Sequence, residues 1–209
     1  MSTTDGDRLD EALTADRILE AARAQVRRFG EAKTNIVDIA KALGTSHSTI
    51  YRHFRSKADV FDAIVVAAMR DEEFLGASFV DTDAPAAERL QGLVMALHRR
   101  KVERFVGDME LYLLYRRVVE ERPELIRRYA EAVTSLIAAI LEDGVKRREF
   151  TIGNIAAAAG VVRDAVTVFV HPAHVQAAAK AGVSMEANLR RTMTVLIRAF
   201  TAGVTLNEA

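Results

Sequence analysis

The sequence predicts an all-α protein, and three observations carry that prediction. Apolar residues recur at spacings of three and four along most of the chain, the period of helices that each bury one stripe. Only three prolines interrupt 209 residues, and Ala, Leu, Val, Ile, Glu and Arg dominate a composition that is 50% hydrophobic. Residues suited to helix caps stand at the breaks between the periodic stretches. No apolar run reaches the ~20 residues needed to cross a bilayer. Cysteine is absent, which excludes disulfides and thiolate metal sites and makes a reducing cytoplasm the expected compartment. The opening MSTTDGDRLDEALTAD is acidic and polar, unlike a secretory signal, and residues 1–13 are expected to form a disordered tail.

The first helix is expected from Ala15 to Phe29. Thr14 caps it, Asp16 sits in its first turn, and Ile18, Ala22, Val26 and Phe29 form its apolar stripe. Gly30 stops it. A short second helix spans Ile36 to Leu43, with Asn35 as cap and Asp38 reaching back. Ile36, Ile39, Ala40 and Leu43 form its inner face. A third spans His47 to His53 with Ser46 as cap. A fourth begins after Ser56 in the capping pattern SKAD and carries Val60, Phe61, Ile64, Val65, Ala68 and Phe74 toward a core.

The segment GASFVDTDAP, residues 76–85, reads as a boundary, since it is rich in glycine and aspartate and ends in proline. Longer helices follow, from Ala86 to Phe105, from Met109 to Glu120 and from Pro123 to Arg147, the last opened by its proline. Another spans Ile152 to Phe169. VHPAHVQAAAKAG reads as a loop with one helical turn, and the last helix spans Met185 to Ala202 with Ser184 as cap.

The stretch GTSHSTIYRHF, residues 44–54, carries the functional argument. Net charge is zero overall, yet Ala15 to Lys57 holds nine basic and four acidic residues, a local excess of +5. Such a patch on a neutral chain fits either a nucleic-acid-facing end or a solvated helical face. The short helices joined by LGTS match a helix-turn-helix, with Gly44 supplying the turn. Ile39, Leu43, Ile50 and Phe54 pack the pair together. Thr45, Ser46, His47, Ser48, Thr49, Tyr51, Arg52 and His53 then have nothing apolar to do. Small hydroxyl residues at a helix start approach phosphates, and the second helix of such a motif reads base edges in the major groove.

Residues 34–61, TNIVDIAKALGTSHSTIYRHFRSKADVF, resemble the DNA-binding segment of the TetR, or tetracycline-repressor, family of bacterial transcriptional regulators. The resemblance is carried by Ile39–Ala40, Gly44, Ser46, Thr49, Tyr51, His53–Phe54, Ser56 and Lys57. Ser48 and Thr45 depart from the glycine and valine frequent there, which bears on the operator sequence. The resemblance implies a three-helix DNA-binding domain over residues 14–75 and a helical-bundle ligand-binding and dimerisation domain over 84–205. It implies a ligand-responsive repressor that binds a palindromic operator as a homodimer, on double-stranded DNA of the nucleoid, with no membrane partner. A ligand-dependent activator, or a protein–protein interaction module in the C-terminal half, are the alternatives. Carried over by position, Thr34, Ser46, Tyr51 and Lys57 contact phosphates, and His47, Ser48, Thr49 and His53 face base edges. Packing against the first helix is the competing role for Tyr51.

In the C-terminal half, Met109, Tyr112, Leu113 and Arg116 share one helix face. The preceding helix offers Met95, His98 and Phe105, and the following one Tyr129, Val133 and Leu136. These ten either line a mostly hydrophobic pocket for an apolar or amphipathic effector, or belong to an ordinary core. The last two long helices are apolar on more than one face. Ala156, Ala159, Arg163, Val166, Leu189, Met193, Leu196, Ile197 and Phe200 are their candidate dimer contacts. His47 and His53 fall on nearly opposite helix faces, and His171 and His174 lack a nearby carboxylate, so no metal site is expected. No GxSxG, phosphate loop or HExxH occurs, and neither a catalytic residue nor a cofactor is expected.

Overall fold

A computed structural model describes residues 14–206; the expected tail over 1–13 lies outside them. The described residues form ten helices and one isolated parallel bridge, Ile152 to Val204. The helices are α1 Ala15–Phe29, α2 Ile36–Ala42, α3 His47–His53, α4 Lys57–Ala77, α5 Ala86–Gly107, α6 Met109–Glu121, α7 Pro123–Lys146, α8 Ile155–Val170, α9 Pro172–Lys180 and α10 Glu186–Ala202. They divide into two compact units. The first comprises residues up to Ala68 together with 107–121, and the second comprises 69–106 together with 122 onward.

In the first unit α1 packs on α2 and α6, and α2 packs on α3. The Thr14 hydroxyl accepts from the Arg17 amide at 3.3 Å, and Gly30, at φ +77°, turns the chain out of α1. Ile18, Ala22, Val26, Ile39, Ile50 and Val60 are fully buried. Two ion pairs hold α6: Arg27 to Asp108 at 2.5 Å and Arg117 to Glu31 at 2.7 Å. Phe29 does not complete the α1 stripe. It is 46% exposed, stacked under the Arg28 guanidinium, while Leu19 takes the inward place. Asn35 makes no side-chain cap bond.

In the second unit α8 is the hub, packed on α7, α9 and α10. Its core gathers Leu90, Leu93, Ile137, Ile140, Leu141, Ala158, Val162, Leu189 and Met193, among others, all buried. Gly144 permits the closest approach: a Cβ there would stand 2.5 Å from Phe150 Cδ2 and 2.8 Å from Ala86 Cβ. Arg89 is buried, with one guanidinium nitrogen donating to the Val80 carbonyl at 2.6 Å and another pairing with Asp143. Past α10, Gly203 turns at φ +100°, and the Val204 amide donates to the Thr151 carbonyl at 3.0 Å. The Gly153 amide donates to the Val204 carbonyl at 3.2 Å, and Thr151 donates to Phe200 at 2.8 Å.

Several sequence expectations change here. Phe74 is 82% exposed, because Met69, Glu72 and Gly76 set the inward face of α4 and position 74 lies opposite it. α8 starts at Ile155 under an Asn154 cap, since Ile152 is held in the bridge. The stretch expected as a loop after α8 is the nine-residue helix α9, opened by Pro172. α10 is preceded by Met185, so Ser184 is not its cap.

Candidate functional site

The exposed face of α3 is built from the turn upward. Gly44 adopts φ +68°, which lets α3 start three residues later. The Ser46 hydroxyl accepts from the Thr49 amide at 3.3 Å and bonds the hydroxyls of Ser48 at 2.7 Å and Thr49 at 2.9 Å. That cap fixes the helix start, and with Ile50 fully buried the rest of the rotation follows. Ser46, His47, Ser48, Tyr51, Arg52 and His53 are exposed, while Thr45 and Lys57 are half-buried. His47 and Tyr51, one turn apart, meet edge to face with ring centres 6.3 Å apart. The Lys57 ammonium sits over the Phe61 ring at 5.2 Å.

Two of the ten DNA candidates have no surface with which to meet DNA. Thr34 is 1% exposed, and its hydroxyl donates to the Gly30 carbonyl at 2.8 Å, so it closes the α1–α2 turn. Thr49 is 2% exposed and its hydroxyl belongs to the Ser46 cap, so it faces α3's own support. The other eight stand on the surface of the turn, of α3 and of the start of α4.

The ten ligand candidates are divided between the units. Met95, His98, Phe105, Tyr129, Val133 and Leu136 are in the second; Met109, Tyr112, Leu113 and Arg116 are in the first. Met95, His98 and Tyr112 are buried, whereas Met109 and Leu113 are exposed. The His98 Nδ1–H donates to the Phe169 carbonyl at 2.7 Å. His98 also borders a pocket of about 270 Å³ in the second unit, with Arg99, Val102, Val175, Val183 and Met185.

Sequence reasoning missed a charged cluster in the second unit. Glu72 Oε2 accepts from Lys101 Nζ at 2.5 Å and from the Tyr129 hydroxyl at 2.6 Å, and Oε1 pairs with Arg104 Nη1 at 2.7 Å. The Glu72 and Lys101 side chains are 0% and 4% exposed, and that of Arg104 is 15% exposed. Burial pushes the Glu72 carboxyl up, but the Lys101 and Arg104 charges and the hydrogen bonds outweigh it and hold it below its ordinary value. Burial pulls the Lys101 amine down; Glu72 opposes this, Arg104 adds to it, and the result is about 8. The available signal was positional: Lys101 lies three residues beyond buried His98, and Glu72 three beyond buried Met69.

Five of the nine dimer candidates are spoken for within the chain. Ala159, Val166, Leu189, Met193 and Phe200 are buried in its own core and have no surface for a partner. Ala156 is exposed; Arg163, Leu196 and Ile197 are half-buried, and Arg163 pairs with Asp164 at 2.8 Å. The large apolar side chains that α8 and α10 do expose are Val161 at 40%, Val168 at 40% and Val195 at 67%. Among the described residues no group of three or more His, Cys, Asp or Glu is placed to hold a metal ion. No single described helix is long and apolar enough to cross a membrane.

Comparison with known proteins agrees with this geometry. The family model of bacterial regulatory proteins, tetR family, matches residues 18–64, and that of the tetracyclin repressor-like C-terminal domain matches residues 86–189. The HTH-type transcriptional regulator YhgD of Bacillus subtilis is 24% identical over 135 residues, 62% of this chain and 68% of that protein. The HTH-type transcriptional repressor KstR2 of Mycobacterium tuberculosis is 35% identical over 82 residues, 38% of this chain and 40% of that repressor. A TetR-family regulator from Mesorhizobium loti superposes with a TM-score of 0.63 at 23% identity, covering 97% of this chain and all of that one (100%). FadR from Bacillus subtilis, solved with stearoyl-CoA, superposes with a TM-score of 0.61 at 17% identity, covering 88% and 98%.

Proposed function

Because the chain belongs to the tetR family of bacterial regulatory proteins, and is therefore a DNA-binding transcription regulator and not an enzyme, we propose that it is a ligand-responsive repressor that binds a palindromic operator as a homodimer. In this reading residues 14–75 are the DNA-binding domain and residues 84–205 the ligand-binding and dimerisation domain, working in the cytoplasm. The observation that carries it is the outward face of α3. Ser48, His47, Tyr51, Arg52 and His53 stand exposed there on a helix that Ser46 caps and Ile50 anchors. Hydroxyl, imidazole, phenol and guanidinium groups together supply donors for phosphates and for base edges. Thr45 and Lys57 flank that face.

A second copy of the chain meets α8 and α10 on the side that carries Val161, Val168 and Val195. An apolar or amphipathic effector is taken by the second unit, where buried Met95 and His98, the latter at the border of the pocket, and half-buried Tyr129, Val133 and Leu136 form a mostly apolar environment with few polar groups.

The test is selection of bound fragments from sheared host DNA, then affinity for the best fragment across a salt series. A palindrome bound at physiological salt against competitor DNA is the expected result. Recovery of only unselective, salt-labile DNA, with and without host metabolite extract, would overturn the repressor reading.

A further inference from the structure

In the second unit the last turns of α4, from Met69 on, and the helices α5 and α7 close around Glu72. At Gly76, one turn further along α4, an added Cβ would stand 2.8 Å from Leu136 Cδ1 of α7 and 3.3 Å from Leu93 Cδ1 of α5. Leucine methyls from both neighbouring helices therefore occupy the space that a side chain at position 76 would need. One turn back the same three helices present charge: both oxygens of Glu72 are taken by Lys101 and Arg104 of α5 and Tyr129 of α7. Removing such ions from water costs several kcal/mol each, and well-packed apolar side chains of similar volume commonly do as well or better for stability. Closure of the helices thus does not explain the charges. An ammonium, a guanidinium and a phenol converging on both oxygens of one carboxylate form a recognition set for a carboxylate. Along α7, Val133 and Leu136 follow Tyr129 at spacings of four and three, so the same face continues as apolar side chains, half-buried against the core.

We propose that Lys101, Arg104 and Tyr129 form the subsite for the carboxylate of an amphipathic anionic effector, and that Glu72 fills this subsite as an internal surrogate which the effector displaces. The proposal rests on the reading of the second unit as effector-binding. Glu72 belongs to α4, whose first residue, Lys57, lies four positions after the end of α3. Expelling its carboxylate acts directly on the helix that follows the reading helix.

The experiment is calorimetric titration of the full chain with dodecanoate and with its uncharged twin dodecanol, using wild type, Glu72→Gln, Arg104→Met and Tyr129→Phe, each checked for folding by circular dichroism. Dodecanoate is expected to bind wild type roughly tenfold more tightly than dodecanol, the effect of one charge-assisted hydrogen bond. Glu72→Gln removes the competitor and tightens dodecanoate alone. Arg104→Met abolishes the preference. Tyr129→Phe, which keeps the ring, weakens dodecanoate and leaves dodecanol unchanged. Equal affinity for acid and alcohol, or a Glu72→Gln protein no tighter for dodecanoate, overturns the anionic subsite while leaving an effector cavity standing. Binding of neither compound overturns the subsite as well. The effector reading itself falls only if host metabolite extract also fails to release operator DNA.

Discussion

Replacing Lys101 with Met removes one titration from the folding equilibrium, and the consequence is a change of slope with pH. The Lys101 amine is held at about 8 in the folded chain against an ordinary 10.5. The unfolded chain therefore keeps this proton over the window from about 8 to 10.5, where the folded chain has shed it, and stability rises with pH there. The whole shift amounts to about 3 kcal/mol of penalty at neutral pH. Integrating the linkage, about 1 kcal/mol of it is relieved between about pH 7 and about pH 9. The groups facing Lys101 are Glu72 from α4, Arg104 from its own helix and Tyr129 from α7. Glu72 stays ionised, being held below its ordinary value, and the scan stops short of about pH 10, where phenols ionise. Urea unfolding of both proteins at the two pH values is the assay. With a slope near 2 to 3 kcal/mol per molar for a chain of this size, the wild-type midpoint should gain about 0.4 M more than that of Lys101→Met. Groups that do not touch Lys101 titrate alike in both proteins and cancel in the difference. Parallel profiles would refute the reasoning, for they would mean that Lys101 carries no buried charge.

Gly144→Ala drives a Cβ to 2.5 Å from Phe150 Cδ2, so it should cost about 1–3 kcal/mol and lower the melting temperature by several degrees; unchanged melting would contradict the packing. Thr34→Val should lose about 1 kcal/mol of stability while operator affinity holds, and the reverse pattern would return its hydroxyl to the phosphates. His47→Ala and Tyr51→Ala should each weaken operator binding by about 1–3 kcal/mol with melting unchanged, and full affinity in both would move the docking face off α3. Val195→Glu places a charge on the exposed side of α10 and should yield monomers in sedimentation; a persistent dimer would put the contact elsewhere.

The helical architecture was legible because it rests on short-range chemistry. Thr14 before α1, Gly30 after it, Ser46 before α3 and Pro123 at the start of α7 act within four residues, and each performs the role its type suggests. The same proline logic applies at Pro172, but PAHVQAAAK has no strong apolar period, and α9 went unread. Direction was harder than existence. Thr34, Thr49 and Phe74 lie on the elements expected of them, yet which way each side chain faces depends on what packs opposite, and no local pattern encodes that. A stripe of alternating apolar residues also hides its polar exceptions. Glu72, Arg89 and Lys101 are buried because partners from distant segments meet them, Tyr129 lying 57 residues from Glu72 and Asp143 lying 54 from Arg89. For α8 and α10 the apolar stripes were legible but not which side each residue takes: Ala159, Val166, Leu189, Met193 and Phe200 feed the chain's own core, and three valines stand outside.

The knot between the α7–α8 turn and the residues after α10 matters to anyone attaching something to this protein. Val204 exchanges two backbone hydrogen bonds with Thr151 and Gly153, so α10 is tethered beyond its last turn. A fluorescent reporter or affinity handle spliced in at Gly203 would cut that tether and free the end of the helix that exposes Val195. The same cargo joined after Leu206 leaves the knot tied, and a sensor built on this scaffold should carry its label there.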